Sequence, residues 1–281
     1  EDTYILFGAV PPQQKKESKK VVAADYDIQF LPESGNYVAG TDATIFIKGT
    51  GADGKGELLK GAISTQGGKH LASFVTDSLG FGKVTIRNLP AGVLTAAVMN
   101  AAGVPKRVQL PASLAKGVTV NGTVSAVANG DGKVQFRIKS SGGLAARGLV
   151  AVLHNGSEIY SRMEIRQQDM LFSLPLKGLD AGIHAVTVVD SKGNVYAERP
   201  FVVLPQEEEQ MKIAVEKSAY GKREKVTVNV SLPQNMLDSC RNFSVSVTDM
   251  GITGNVERTT IESYMLLKSE LQGYVEDIAY Y

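Results

Sequence analysis

The chain has no tryptophan, one cysteine and three histidines among its 281 residues. Each scarcity removes a class of chemistry. A lone thiol, Cys240, excludes an intramolecular disulfide, and its neighbours Ser239 and Arg241 do not activate it as a nucleophile. His70, His154 and His184 lie far apart, and neither HExxH nor CxxC occurs, so no metal site is expected. No apolar run reaches the roughly 18 residues needed for a membrane-spanning helix. Charge of one sign is also missing: 30 basic against 29 acidic side chains leave a net of +1. That balance gives no footing for a nucleic-acid surface. Neither a signal peptide nor an initiator methionine stands at Glu1, and the expectation is a fragment of a longer secreted polypeptide.

Hydrophobic residues make up 43% of the chain, and 29 glycines punctuate short β-branched runs. Such a composition builds real cores linked by many turns, as in all-β proteins. A segment repeats after about 90 residues. Leu89-Pro90-Ala91-Gly92-Val93 leads into Ala97-Val98-Met99-Asn100, and Leu179-Asp180-Ala181-Gly182-Ile183 leads into Thr187-Val188-Val189-Asp190. A turn–strand unit recurring at that distance predicts one β-sandwich module used at least twice.

Alternation of apolar and polar residues supports this. Ile28 and Phe30, then Ala43, Ile45 and Ile47, then Val134, Phe136 and Ile138 each alternate with polar neighbours. Asn155-Gly156 between Leu149–His154 and Ile159-Tyr160 predicts a tight hairpin. Four segments are expected: an orphan strand and lysine-rich linker over 1–25, sandwiches over 26–112 and 113–206, and a partial sandwich over 207–281. The last contains strands around Ile213, Val228 and Val245. It then switches period to a short helix spanning Ile261, Met265, Leu267, Leu271 and Val275, capped by Thr259 or Thr260. The acidic run Glu207–Glu209 reads as the joint before it.

Apparent chemistry dissolves on inspection. Gly49-Thr50-Gly51-Ala52-Asp53-Gly54-Lys55 mimics a phosphate loop, but Gly56 replaces the Ser or Thr that would hold magnesium, and no helix is expected behind it. A hairpin loop is the better reading. His154 and His184 sit inside strand patterns as packed side chains. Neither a Ser-His-Asp set nor an Asp-rich calcium loop appears, so catalytic, cofactor and metal residues are all expected to be none.

Three stretches resemble macroglobulin-like proteins of the bacterial cell envelope, those of Bacteroidetes especially. Asp27–Gly40 (DIQFLPESGNYVAG) looks like the FPEGG-LV-G opening of their MG2-type domain. Ala181-Gly182-Ile183-His184, with Val188-Val189-Asp190 and Glu198-Arg199, is similar to the GIHQ…LFD-G…ER strand pair of the next domain. Thr260–Glu276 resembles the closing YLLL-SELKG-IE segment, after which some such proteins carry a TonB-receptor-like plug region. Leu31 replaces the usual aromatic and Ser34 the usual first glycine of the opening motif. The Cys-x-Glu-Gln thioester is missing, since Arg241-Asn242-Phe243 follows Cys240, and covalent trapping does not carry over.

The expectation is therefore tandem immunoglobulin-like, macroglobulin-type antiparallel sandwiches with a short C-terminal helix. The resemblance implies a non-enzymatic scaffold or protein-interaction segment in the periplasm or at the outer membrane, with an envelope or secreted protein as partner. Membrane association is expected only through regions outside this chain. The alternative is a glycan-binding accessory module for nutrient uptake, presenting exposed Tyr26, Tyr37, Tyr160 and Tyr196 on one face. A third class is an accessory segment of an enzyme whose active site lies elsewhere.

Overall fold

The computed structural model describes residues 25–125, 132–205, 211–234, 245, 247, 259–271, 275 and 278. The expected orphan strand and lysine-rich linker before residue 25, the Glu207–Glu209 joint, Cys240 and most of the expected strand around Val245 lie outside these residues.

Seven strands build the first sandwich: β1 (Tyr26–Pro32), β2 (Ala43–Gly51), β3 (Leu59–Thr65), β4 (His70–Val75), β5 (Phe81–Ile86), β6 (Leu94–Asn100) and β7 (Pro105–Gln109). They pair as a three-stranded sheet β1-β2-β5 facing a four-stranded sheet β4-β3-β6-β7. Seven more build the second: β8 (Gly117–Ser125), β9 (Lys133–Ser141), β10 (Leu149–His154), β11 (Ile159–Glu164), β12 (Asp169–Pro175), β13 (Gly182–Asp190) and β14 (Val195–Val203). Their sheets are β8-β9-β12 and β11-β10-β13-β14. Strand for strand the two sandwiches have the same topology. Every pairing within them is antiparallel, an arrangement of immunoglobulin-like type. The repeated segment takes equivalent places: Leu89–Gly92 leads into β6 and Leu179–Gly182 into β13, the third strand of each four-stranded sheet.

Alternation places one side of each strand in a core. In the first sandwich Ile45, Ile47 and Ile63 are fully buried, and Phe30 meets Phe74 edge-on at 5.6 Å. In the second, Val118, Val120, Val134, Ile138, Val186 and Val188 are fully buried, with Phe136 tilted on Phe201 at 5.4 Å. Asn155-Gly156 forms the expected turn: Asn155 Oδ1 accepts from the amides of Ser157 and Glu158, and Gly156 has φ +90°. The phosphate-loop mimic is a hairpin, with Gly51 N donating to Lys55 O.

Beyond the second sandwich, β15 (Lys212–Val215) pairs with β16 (Val228–Ser231). Thr260 caps α1 (Ile261–Ser263), its hydroxyl accepting from Ser263 N at 3.0 Å. The helix continues as one π-helical turn, Tyr264–Lys268, which packs against β13. This helix ends at Lys268, and Leu271 and Val275, expected on it, are not helical.

Truncation at the core and at the surface separates the two kinds of strand position. Ile45→Ala is expected to lower the unfolding free energy by about 2–5 kcal/mol. Leu171→Ala, on the exposed face of β12, changes it by less than about 0.5 kcal/mol. Urea denaturation of both variants checks the contrast.

Candidate functional site

The loop from Glu33 to Asp42, which carries the opening motif, leaves the end of β1 and is braced from both sides. Its own sandwich holds it first. Tyr37 is buried and donates its hydroxyl to Phe30 O at 3.1 Å. Thr41 Oγ1 donates to Val38 O, and Leu89 exchanges backbone bonds with Gly40 and Thr41. Leu89 opens the repeated turn, so the motif loop and the repeat lock each other.

The second sandwich then closes over the loop. Glu33 is only 4% exposed in its side chain, and its Oε1 accepts from Arg199 Nε at 2.7 Å, with Arg199 22% exposed. The same oxygen accepts from Gly122 N on β8 at 3.2 Å. The Arg199 guanidinium also lies 5.7 Å from the Phe46 ring centre. Next along the chain, Ser34 Oγ accepts from Val120 N at 2.8 Å and donates to Val120 O at 3.0 Å. One hydroxyl therefore satisfies both backbone groups of a residue on the edge of β8. Asn121 Nδ2 donates to Asp42 O, and Ser141 Oγ donates to Ala39 O at 2.7 Å. Gly40 has φ +79°, and a Cβ there would stand 2.9 Å from Ser141 Oγ, so both conformation and space select glycine.

Two stretches singled out by sequence resemblance thus meet: Glu33-Ser34 of the opening motif and Arg199 of the Glu198-Arg199 pair. Their spacing of 166 residues hides the pairing from any local reading. The departure at Ser34 supplies a hydroxyl that glycine could not.

Other sequence candidates fall elsewhere. His184 is buried between Tyr160 and Phe201, its Nδ1 donating to Gly182 O while Nε2 has no partner among the described residues. His154 Nδ1 accepts from Gly156 N, so Nε2 carries the proton and donates to Thr187 Oγ1, which donates to Glu198 Oε2. This row ties β10, β13 and β14 together. His70 bonds Ser73 on β4. The three histidines do not converge, and among the described residues no group of three or more His, Cys, Asp or Glu could hold a metal. The tyrosine platform expected for a glycan does not form. Tyr26 and Tyr37 are 3% and 4% exposed inside the first core, while Tyr160 and Tyr196 belong to the second sandwich. The rings of Tyr26 and Tyr37 fill the first core, and those of Tyr160 and Tyr196 lie half-buried against the second.

Arg137 and Asp169 form a bidentate pair, both bonds 2.7 Å, on the outer face of β9 and β12. The hydrogen bond from Arg137 holds the Asp169 carboxyl below its ordinary range. Burial pushes the Tyr37 phenol well above its ordinary value.

The chain matches no protein-family profile and no curated protein in sequence. Among solved structures it is similar to the BSP domain of a biofilm-associated protein, at 14% identity and TM-score 0.31, covering 62% of this chain and 29% of that one. It is also similar to the native conformation of E. coli alpha-2-macroglobulin, at 12% identity and TM-score 0.25, covering 74% and 18%. A third is invasin, a bacterial integrin-binding protein, at 14% identity and TM-score 0.25, covering 69% and 42%. The chain spans less than half the length of each, and at such identities the likeness is one of fold.

Arg199→Ala strands a buried carboxylate and is expected to cost about 3 kcal/mol. Arg137→Ala breaks a pair whose side chains are 55% and 42% exposed and screened by water, and is expected to cost much less than Arg199→Ala. Urea unfolding of the two variants measures the difference. Tyr37 yields a pH prediction. Its folded-state pKa is raised, so the stability from keeping the phenol neutral is fully present below the unfolded value, about 10. It is lost as pH rises above that value. Tyr37→Phe should flatten the decline between about pH 10 and 11 seen in pH-resolved unfolding curves.

Proposed function

We propose that this chain is a non-enzymatic scaffold segment of a macroglobulin-like protein of the bacterial cell envelope, holding neighbouring domains and an interaction surface at fixed geometry. The observation that carries this reading is the interlock of Glu33 and Ser34 with Gly122, Val120 and Arg199. A flexible spacer needs only a polar linker between modules. Here two buried polar side chains of one module complete the hydrogen bonding of the other, so a change of angle would strand both. The expected partner is an envelope or secreted protein. A connection to a TonB-receptor-like region rests on the resemblance of Thr260–Glu276 alone. Among the described residues no helix is long and apolar enough to cross a membrane. The glycan reading has lost the aromatic face that motivated it.

Spin labels at Lys55→Cys and Lys192→Cys, with Cys240→Ser, report the relation of the two sandwiches. Double electron–electron resonance should give one narrow distance distribution. The pair Glu33→Ala and Ser34→Ala should broaden it. A broad distribution in the otherwise unaltered chain would overturn the scaffold reading.

A further inference from the structure

The two sandwiches share a topology but differ in what lies on the outer face of their four-stranded sheets. In the second, the helical turn Tyr264–Lys268 packs against β13, and Ala185 and Thr187 on the outward side of that strand are buried. In the first, no described element packs over the equivalent strand β6 in this way: Ala97 and Met99 are exposed.

Register defines this face. Val75, Lys60, Met99 and Pro105 form one cross-strand row, and Ser73, Ala62, Ala97 and Arg107 the next. The two alanines floor a shallow depression, with Val75 70% and Met99 37% exposed at its end. Neighbouring strands stand about 4.8 Å apart, so four span about 15 Å, enough to seat a helix about 10 Å across. Small residues beneath and larger ones at the end suit a convex helix better than a second flat sheet.

Charge narrows the occupant. β3, β4, β6 and β7 contain no Asp or Glu. Lys60 and Arg107 lie on the outer face, and neither makes an ion pair among the described residues. The corresponding strands of the second sandwich do carry acids, Glu164, Asp190 and Glu198. An apolar floor with two unpaired cations beside it complements an apolar stripe flanked by carboxylates.

We infer that the outer face of β4-β3-β6-β7 docks an amphipathic helix with acidic flanks from a partner protein, as the second sandwich takes a helical turn of its own chain. This rests on the reading of the chain as an interaction scaffold, but its test reads only the first sandwich and is independent of the junction angle.

The probe is a fluorescent synthetic helix of about 18 residues with a leucine stripe flanked by Glu, compared with the same stripe flanked by Lys, both titrated against the full chain. The acidic helix should bind at least tenfold more tightly, with amide shifts in nuclear magnetic resonance spectra centred on Ala62 and Ala97. Lys60→Glu with Arg107→Glu should reverse the preference, and Val75→Ser with Met99→Ser should weaken both peptides. These positions are exposed, so thermal unfolding should stay close to that of the unaltered chain. If the charge reversal unfolds the protein, Lys60→Gln should still narrow the preference. Equal binding of the two helices, or a preference untouched by Lys60→Gln, would overturn the proposal. So would sedimentation as a dimer that Val75→Ser dissociates, which would assign the face to a second copy.

Discussion

A carboxylate that is 4% exposed must be paired where it stands, and among the described residues the Glu33 carboxylate finds its partners, Arg199 and the Gly122 amide, in the other sandwich. Pulling the two sandwiches apart would return Glu33 to water, but it would also leave Arg199 and the amide of Gly122 to find new partners. The pair adds little net stability compared with an apolar contact of equal size. It does distinguish sharply between one arrangement of the modules and all others, because every other arrangement pays desolvation without the compensating bonds. Buried polar contacts fix geometry in this way because hydrogen bonds are directional, whereas hydrophobic contacts tolerate sliding.

Each sandwich has a complete core of its own, so the interlock orients two bodies that are already closed. The repeated turn serves both levels. Leu89 is buried in the first core while its backbone bonds Gly40 and Thr41 of the docking loop. The packing of the first sandwich therefore sets the position of the loop that grips the second. The net charge of +1 conceals a similar division of labour. Arg137 and Asp169 pair across two strands of the second sandwich, while Lys60 and Arg107 on the four-stranded sheet of the first make no ion pair among the described residues.

Legibility in the sequence followed the range of the forces involved. Local signals were readable: the alternation of β2 and β9, the Asn155-Gly156 turn, the Thr260 cap and the spacing of the repeat. β3 and β7 were harder. Gly61 interrupts β3 because the Phe74 ring covers the space, and a Cβ there would stand 2.6 Å from it. β7 opens on Pro105 and is mostly polar, as suits a strand at the sheet edge. The junction itself was half legible. Resemblance singled out both Glu33-Ser34 and Glu198-Arg199, but nothing local says that residues 166 apart will meet. The tyrosines misled because exposure was assumed from chemistry. In a chain without tryptophan, tyrosine is one of the few large rings available to fill a core.

Ser34 joins orientation to protection. β8 is an edge strand, and an edge with free amide and carbonyl groups invites pairing with foreign strands. The Ser34 hydroxyl occupies both groups of Val120, and Glu33 occupies the amide of Gly122 two residues on. Separating the modules would therefore uncover a ready-made pairing edge as well as a buried charge. In a repeated array, whose identical topologies make mispairing between modules an ever-present hazard, the same two side chains that set the angle also close the edge. A glycine at position 34 could make the turn but could do neither.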